Sequence, residues 1–441
     1  MVGNGISRRA CARLGTAVIV LGAVTAAVAG AAAPARYPGL ETGLVAAAAG
    51  RAAGGQVPGG SGAAAQRRLA SPAAVIPRLT DRQLAGQRVI YSYRGLTPPA
   101  TLLSQIRHGQ AAGVIFFAQN IASPAQIAAV TKQLERANAS SLNPVRLPLL
   151  LMTDQEGGNV RRLPGAPVLS EKQIGQAAHP AVQARAAGTG AASNLRSVGM
   201  NVNLAPVLDV FRKAGNFIDQ FGRSYSRNPH KVSYLGADFI KAQQAGNVAA
   251  TAKHFPGLGA AAAGQNTDLV PVTLNLTASE IRGVDELPYR AAISAGVRLI
   301  MASWAVYPAL DSSRPAGLSS AIVQGELRKR LGYGGVTITD ALEAGALRAF
   351  GTTRNRGRLA AKAGMDLLLC SAQNAGQGVQ ALDGLEGALR DGQLGRTAFR
   401  AAVSRILALR AALPVAGALV SPLRPDRQAG AAGRGRAWRL W

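Results

Sequence analysis

The charged side chains that could do chemistry in this sequence stand at or shortly after the ends of short apolar segments. They are Asp154, Arg162, Arg223, Lys253, His254 and Asp340. Carboxylates accept hydrogen bonds from hydroxyl groups, whereas Arg, Lys and His donate hydrogen bonds to oxygen atoms. Brought together, these side chains would bind a polar ligand that carries several hydroxyl groups.

Each of these residues also has a simpler interpretation. An aspartate at the end of a strand, such as Asp154 or Asp340, often only caps the next helix, and the arginines can be surface charges. Lys253 and His254 favour a site more strongly, because a lysine at the end of a buried strand must lose its charge or find a partner.

Eight short apolar segments alternate with longer segments of helical period, which predicts a parallel sheet. The predicted strands cover residues 88–93, 113–117, 149–154, 200–205, 248–255, 298–302, 336–340 and 366–370. Eight such units favour a single α/β domain, a (β/α)8 barrel of TIM type, over an open sheet. No Gly-x-Gly-x-x-Gly motif follows the first strand, which argues further against a dinucleotide-binding fold. Because the carboxyl ends of barrel strands share one face, the charged side chains would meet there.

Composition limits the classes of partner. The 441 residues include 49 Lys and Arg against 22 Asp and Glu, a net charge of +27 at pH 7. Such an excess is typical of proteins that bind polyanions. Only 5% of the residues are aromatic and the arginines are scattered, so we expect no nucleic-acid partner. We expect the charge to attract the protein electrostatically to an anionic cell envelope instead. The two cysteines and four histidines lack the spacing of a metal site, so no metal is expected.

The amino-terminal residues have the layout of an export signal. Arg8, Arg9 and Arg13 precede an apolar run at 14–29, and small residues follow it up to Ala33. The Ser7-Arg8-Arg9 segment also resembles a twin-arginine signal. The run is shorter than a membrane span and is interrupted by glycines, so a retained anchor is the less favoured alternative.

These features predict four regions and an extracellular or envelope-associated protein. Residues 1–33 are the predicted signal peptide, and the Ala-, Gly- and Pro-rich residues 34–78 are a predicted flexible linker. Residues 79–413 are the predicted barrel, and residues 414–441 are a predicted basic, disordered tail.

Five motifs in unbroken order make residues 79–413 similar to glycoside hydrolase family 3, and in particular to its single-domain bacterial β-N-acetylhexosaminidases. The motifs are Asp154-Gln155-Glu156-Gly157-Gly158-x-Val160-x-Arg162, Asn203-x-Ala205-Pro206-Val207-x-Asp209, Arg223-Ser224-Tyr225, Lys253-His254-Phe255-Pro256-Gly257 and Leu331-Gly332-Tyr333-x-Gly335-Val336-x-x-Thr339-Asp340. The resemblance implies a TIM-type barrel and retaining hydrolysis of a terminal β-linked sugar, with no metal or organic cofactor.

The resemblance also implies roles for single residues. The family's nucleophile falls at Asp340, which would attack the anomeric carbon and form a glycosyl-enzyme that water later cleaves. The residues that would hold the hydroxyl and acetamido groups of the sugar are Asp154, Arg162, Arg223, Lys253 and His254. We therefore expect an exported monomer with a carbohydrate substrate, a terminal β-N-acetylglucosaminide of cell-wall glycans.

The sequence departs from the family pattern at the general acid/base. The family has a His shortly after Lys-His-Phe-Pro-Gly, and its place falls here at Asn266 or Thr267, neither of which transfers protons near neutral pH. The adjacent Asp268 is the candidate replacement; alternatively, it is a loop residue with no role in catalysis. A second departure, Ala302-Ser303-Trp304 in place of Ala-His-Val, is expected to reshape the sugar pocket.

Three hypotheses remain open from the sequence. In the first, an active β-glycosidase uses Asp340 together with Asp268. In the second, the barrel is catalytically impaired and binds sugars. In the third, the enzyme prefers another sugar or transfers sugars. Replacement of Asp268 separates the first two, because it would harm only an enzyme, and mainly on substrates with poor leaving groups.

Overall fold

Eight parallel strands form a closed barrel in the computed structural model, which describes residues 72–415. In chain order the strands are β1 (Val89–Tyr91), β2 (Gly113–Ile115), β3 (Leu150–Thr153), β4 (Val202–Asn203), β5 (Ala249–Phe255), β6 (Leu299–Ala302), β7 (Val336–Ala341) and β8 (Leu367–Leu369). Each strand pairs in parallel with the next, and β8 pairs with β1. The predicted (β/α)8 barrel is confirmed, and each predicted apolar segment coincides with one strand.

A helix follows each strand and covers the outside of the barrel. These helices are Ala100–Arg107, Pro124–Asn138, Pro180–Ser197, Pro229–Ala245, Leu287–Ser294, the π-helix Ala321–Arg330, Thr353–Ala363 and Ala375–Arg390. Local sequence explains where two of them begin. Ser123 and Asn228 accept hydrogen bonds from backbone N–H groups of the first turn, and a proline follows each of them at the first helical position.

Shorter elements complete the described chain. Two hairpins lie just beyond β3 and β6; they pair Gln155–Gly157 with Val160–Arg161 and Val306–Tyr307 with Asp311–Pro315. The remaining helical segments are Pro72–Val75, Ile76–Arg78, Asp81–Gly86, Ala118–Asn120, Glu171–Gln176, Phe217–Gln220, Ala278–Glu280, Ile281–Asp285, Ala316–Leu318, Gly345–Phe350 and Arg396–Ala411.

The last helix closes the amino-terminal end of the barrel. Its Ile406 and Leu409 belong to the same buried apolar cluster as the strand residues Ile90 and Leu150. The buried Arg410 donates hydrogen bonds to backbone carbonyls just before β3. A ligand site must therefore lie at the opposite end, where the strands finish.

The folded region begins earlier than the sequence suggested. Residues 72–78, assigned above to the linker, form the helical segments Pro72–Val75 and Ile76–Arg78. Val75 and Ile76 are buried in the core, and this apolar burial stabilises a segment that composition alone assigned to the linker. The predicted signal peptide, the rest of the predicted linker and residues 416–441 of the predicted tail lie outside the described residues. Between residues 72 and 415, no helix is both long and apolar enough to cross a bilayer.

Candidate active site

A cavity of about 360 Å³ opens at the carboxyl ends of the strands. All seven residues that the sequence singled out line this cavity: Asp154, Arg162, Arg223, Lys253, His254, Asp268 and Asp340. Apolar side chains of the barrel interior, including Met301 and Leu369, form its inner wall. The parallel topology thus brings together charged residues that lie far apart along the chain.

Lys253 lies at the centre of a buried ion-pair network. Its Nζ is 2.8 Å from Asp154 Oδ1 and 2.7 Å from Glu156 Oε1. Burial disfavours the charge on Lys253, but the carboxylates of Asp154 and Glu156 outweigh it and raise the pKa of this lysine. Lys253 therefore remains an ammonium group at the wall of the cavity, and the partner that its position required is present.

Glu156 neutralises two cations of the site, although the sequence did not single it out beyond its motif. It is 2% exposed and accepts two hydrogen bonds from Arg223, each 2.9 Å long. Burial opposes its ionisation, but the charges of Arg223 and Lys253 outweigh burial and lower the pKa of Glu156 to about 2. Its carboxylate allows Arg223 and Lys253 to lie side by side at the cavity.

Asp209 fixes the imidazole ring of His254. This fully buried carboxylate accepts a hydrogen bond from His254 Nδ1 at 2.8 Å. Its other oxygen accepts from the backbone N–H groups of His254 at 3.2 Å and Leu258 at 2.6 Å. With Nδ1 engaged, Nε2 is the ring nitrogen that can meet a ligand.

Asp340 stands near the end of β7, half-buried and facing the cavity. Its Oδ1 accepts the backbone N–H of Ala341 at 2.8 Å. Trp304 is fully buried behind this point and donates its indole N–H to the carbonyl of Ala341 at 2.8 Å. Trp304 is not among the residues that line the cavity. This departure from the family pattern therefore supports the end of β7 from behind.

Asp268 lies at the mouth of the cavity in the loop after β5. Its backbone N–H donates to Asn266 Oδ1 at 2.9 Å, so the residue at one expected position of the missing His shapes the turn that presents Asp268. The residue is exposed to solvent, yet the surrounding protein removes part of the hydration of its carboxyl group. This desolvation and the charge of Asp340 raise the pKa of Asp268 to about 6, against the opposing effect of His254.

Three further polar residues of the cavity wall were missed by the sequence reasoning: Glu343, Ser371 and Gln373. Glu343 Oε1 accepts a hydrogen bond from the Ser371 hydroxyl at 2.7 Å, which joins the turns after β7 and β8. Their signal in the sequence was the same as for the predicted residues, since each follows the end of a strand by two to four positions.

Arg162 offers a donor to a ligand. Its Nε is buried and has no hydrogen-bond partner within the described part of the chain. Since that atom is closed off from solvent, Arg162 can meet a ligand only through the part of its side chain that lines the cavity. Among residues 72–415, no group of three or more His, Cys, Asp and Glu side chains has the arrangement of a metal site.

Comparison with known sequences gives the following matches. Residues 82–409 match the glycosyl hydrolase family 3 N terminal domain. The chain is 48% identical over 345 residues to an uncharacterized secreted glycosyl hydrolase of Arthroderma benhamiae, covering 78% of this chain and 96% of that protein. It is 33% identical over 282 residues to a beta-hexosaminidase of Nitrosomonas eutropha, covering 62% of this chain and 78% of that protein.

Solved structures resemble the barrel as well. A glycoside hydrolase family 3 beta-N-acetylglucosaminidase from Paenibacillus sp. shares 34% identity with a TM-score of 0.72, covering 80% of this chain and 66% of that chain. A beta-N-acetylhexosaminidase from Beutenbergia cavernae shares 30% identity with a TM-score of 0.68, covering 75% of this chain and 98% of that chain.

Proposed function

The chain belongs to glycosyl hydrolase family 3 and is a glycoside hydrolase, and from that premise we propose that it is an exported, retaining β-N-acetylhexosaminidase. In this proposal a monomer removes terminal β-linked N-acetylglucosamine from cell-wall glycans. The Nitrosomonas relative is a beta-hexosaminidase, and the Paenibacillus and Beutenbergia structures are enzymes of the same specificity class, which supports the choice of sugar.

Asp340 and Asp268 share the chemical work in the proposed mechanism. The Asp340 carboxylate attacks the anomeric carbon while the bond to the leaving oxygen breaks, and Asp268 gives its proton to that oxygen. A water molecule then attacks the glycosyl-enzyme and passes a proton to Asp268, and this step frees Asp340. The sugar hydroxyl and acetamido groups contact the five binding residues, Asp154, Arg162, Arg223, Lys253 and His254.

The observation that carries the proposal is the placement of Asp268. It lines the same cavity as Asp340, and desolvation together with the Asp340 charge raises its pKa to about 6. A carboxyl group with a pKa near the working pH can hold a proton for the first step and take one in the second. Asp268 can therefore occupy the role that the missing His has in related enzymes.

Export has separate support. The Arthroderma relative is a secreted glycosyl hydrolase. The predicted signal peptide at residues 1–33 and the net charge of +27 agree with a protein that leaves the cell and works at an anionic envelope. In this proposal, residues 34–71 are the linker that follows the signal and residues 416–441 are a basic tail.

The test is release of 4-nitrophenol from its β-N-acetylglucosaminide by the wild-type protein, Asp340→Ala and Asp268→Asn. We expect Asp340→Ala to be inactive. Asp268→Asn should lose about 10²- to 10⁴-fold on a phenyl glycoside and much less on a 2,4-dinitrophenyl glycoside, whose leaving group needs little protonation. A 5-fluoro glycoside should label the peptide that contains Asp340, as mass spectrometry would show.

Two results would contradict the proposal. Full activity of Asp340→Ala would remove the assigned nucleophile. Absence of turnover on every aryl glycoside, with N-acetylglucosamine still bound, would leave a sugar-binding barrel. Thermal unfolding of each variant provides the control that its fold is intact.

A further inference from the structure

Two backbone hydrogen bonds join the loop that carries Asp268 to the turn that follows Asp340. The Gly345 N–H donates to the Asp268 carbonyl at 2.7 Å, and the Ala346 N–H donates to the Thr267 carbonyl at 3.0 Å. We call residues 264–270 the acid loop, residues 341–347 the nucleophile turn, and this pair of bonds the latch.

We propose that the latch holds Asp268 at its working position relative to Asp340, and that Gly345 is the positioning residue on which the latch depends. This inference rests on the proposed role of Asp268 as acid/base. It adds a residue outside the substrate-binding set to the machinery of the reaction.

The nucleophile turn is a fixed point of attachment. Trp304 donates to the carbonyl of Ala341 at 2.8 Å, and Arg356 Nη1 donates to the carbonyl of Leu342 at 2.9 Å. The N–H of Leu342 donates to the carbonyl of Leu369 at the end of β8 at 3.0 Å. Bonds from three sides thus hold the turn against the barrel, so a loop tied to the turn is tied to Asp340.

The acid loop obtains its shape, but not its position, from its own bonds. The side chain of Asn266 accepts a hydrogen bond from the backbone N–H of Asp268. Its backbone carbonyl accepts hydrogen bonds from the N–H groups of Leu269 and Val270, both at 3.0 Å. These bonds lie within the loop. The latch adds bonds from the acid loop to the barrel, and it does so at the residue that carries the carboxyl group.

Gly345 permits the close approach that the latch requires. A Cβ atom at this position would lie 2.0 Å from the carbonyl oxygen and 2.3 Å from the carbonyl carbon of Leu269. Both are backbone atoms and cannot rotate away, so any other residue would push the acid loop outward. Leu269 is 61% exposed, so the loop can move without opening the core.

The test compares Gly345→Ala with Gly334→Ala, a matched glycine just before the other end of β7 where an added Cβ meets no heavy atom within 4 Å. We expect Gly345→Ala to lose about 100-fold in kcat/KM on the phenyl glycoside, because displacement of a catalytic group by about 1 Å costs that much. The 2,4-dinitrophenyl glycoside should lose far less, and Gly334→Ala should match the wild-type protein on both.

A pH profile adds a measurement that a purely structural defect would not move. Desolvation and the charge of Asp340 raise the pKa of Asp268, so moving the loop outward should weaken both effects and shift the alkaline limb of kcat/KM toward lower pH. The 2,4-dinitrophenyl glycoside keeps most of its kcat/KM because its first step needs little acid, but kcat should fall in both Asp268→Asn and Gly345→Ala because the second step needs the base. Sodium azide, which replaces the base-assisted water in that step, should restore kcat in both variants.

The outcomes separate the latch from the proposed function. If Asp268→Asn shows the leaving-group dependence and Gly345→Ala does not, the latch is wrong and the acid/base role stands. If Asp268→Asn shows no such dependence, both fail. Should Gly345→Ala not fold, amide hydrogen exchange on the wild-type protein decides, since rapid exchange at Gly345 and Ala346 would overturn the latch.

Discussion

The carboxyl group of Asp268 has a raised pKa at the wall of the cavity. Its partial desolvation and the Asp340 charge raise its pKa to about 6, while His254 and Arg223 oppose the rise. A general acid must carry its proton in the first step. In the proposed mechanism, proton donation by Asp268 is therefore complete well below its pKa and is lost as the pH rises through it.

We predict that kcat/KM for the phenyl glycoside decreases as the pH rises through about 6. In Asp268→Asn this alkaline limb should disappear, because an amide does not titrate. The measurement is a pH–rate profile of both proteins with the phenyl and 2,4-dinitrophenyl glycosides. If the alkaline limb persists unchanged in Asp268→Asn, the group that titrates is not Asp268.

Glu156 stabilises two neighbouring cations, since its carboxylate pairs with both Lys253 and Arg223. Replacing it with Gln leaves the buried Lys253 and the partly buried Arg223 without their shared anion. We expect Glu156→Gln to lower the free energy of unfolding by about 3–5 kcal/mol, as urea denaturation would measure. The exposed pair Arg390–Asp391 offers a control, since Asp391→Asn should cost less than about 1 kcal/mol. If Glu156→Gln and Asp391→Asn lowered the free energy of unfolding equally, the argument that burial makes the Glu156 ion pairs important would be contradicted.

At the scale of elements, β6 and β7 cooperate beyond their ladder of backbone hydrogen bonds. Trp304, two residues after β6, donates its indole N–H to the carbonyl of Ala341, the residue that directly follows Asp340. The hydroxyl group of Tyr333, just before β7, lies 2.9 Å from the carbonyl oxygens of both Arg298 and Val336 and can donate its single proton to either. The two side chains make the same kind of contact at opposite ends of one strand.

This pairing allows a matched prediction. Trp304→Phe and Tyr333→Phe should each destabilise the protein by about 0.5–1.5 kcal/mol, because each removes one hydrogen bond. A backbone N–H still donates to each carbonyl, from Ala344 to Ala341 and from Val336 to Arg298. Only Trp304→Phe should also lower kcat, with KM nearly unchanged, because it loosens the segment that positions Asp340. Thermal unfolding and steady-state kinetics on the same preparations test both statements. A comparable loss of kcat in Tyr333→Phe would show that the effect is general destabilisation.

At the scale of the whole molecule, charge is the dominant property. A net charge of +27 in 441 residues attracts polyanions over distances of a Debye length, about 10 Å at 0.1 M salt. The same charge would concentrate an exported protein on wall polymers that carry phosphate or carboxylate groups.

We predict that the full-length protein sediments with such wall fragments at low salt and is released as the salt concentration rises. Uncharged chitin, with the same sugar but no anionic groups, serves as the control and should show no comparable salt dependence. Wall binding that is equal at low and high salt would contradict electrostatic attachment.

The sequence alone was sufficient to predict the barrel and to bring seven charged residues to one cavity. Apolar segments of strand length repeated eight times, and charged residues followed several of them. The apolar segments and the charged residues that follow them can both be read from short stretches of sequence. In a parallel barrel all strands end at the same face, so residues at the strand ends lie close together in space. Asp154, Lys253 and Asp340 could therefore be placed together before any contact was known.

Only the tertiary structure decided how these residues act on one another. That Glu156 pairs with both Lys253 and Arg223, and that desolvation and the charge of Asp340 raise the pKa of Asp268, depends on contacts between residues distant in the chain. The approach of Gly345 to the acid loop has the same origin. Hydrogen bonds, close ion pairs and steric contacts are made at distances of a few ångströms, and those distances exist only once the chain has folded.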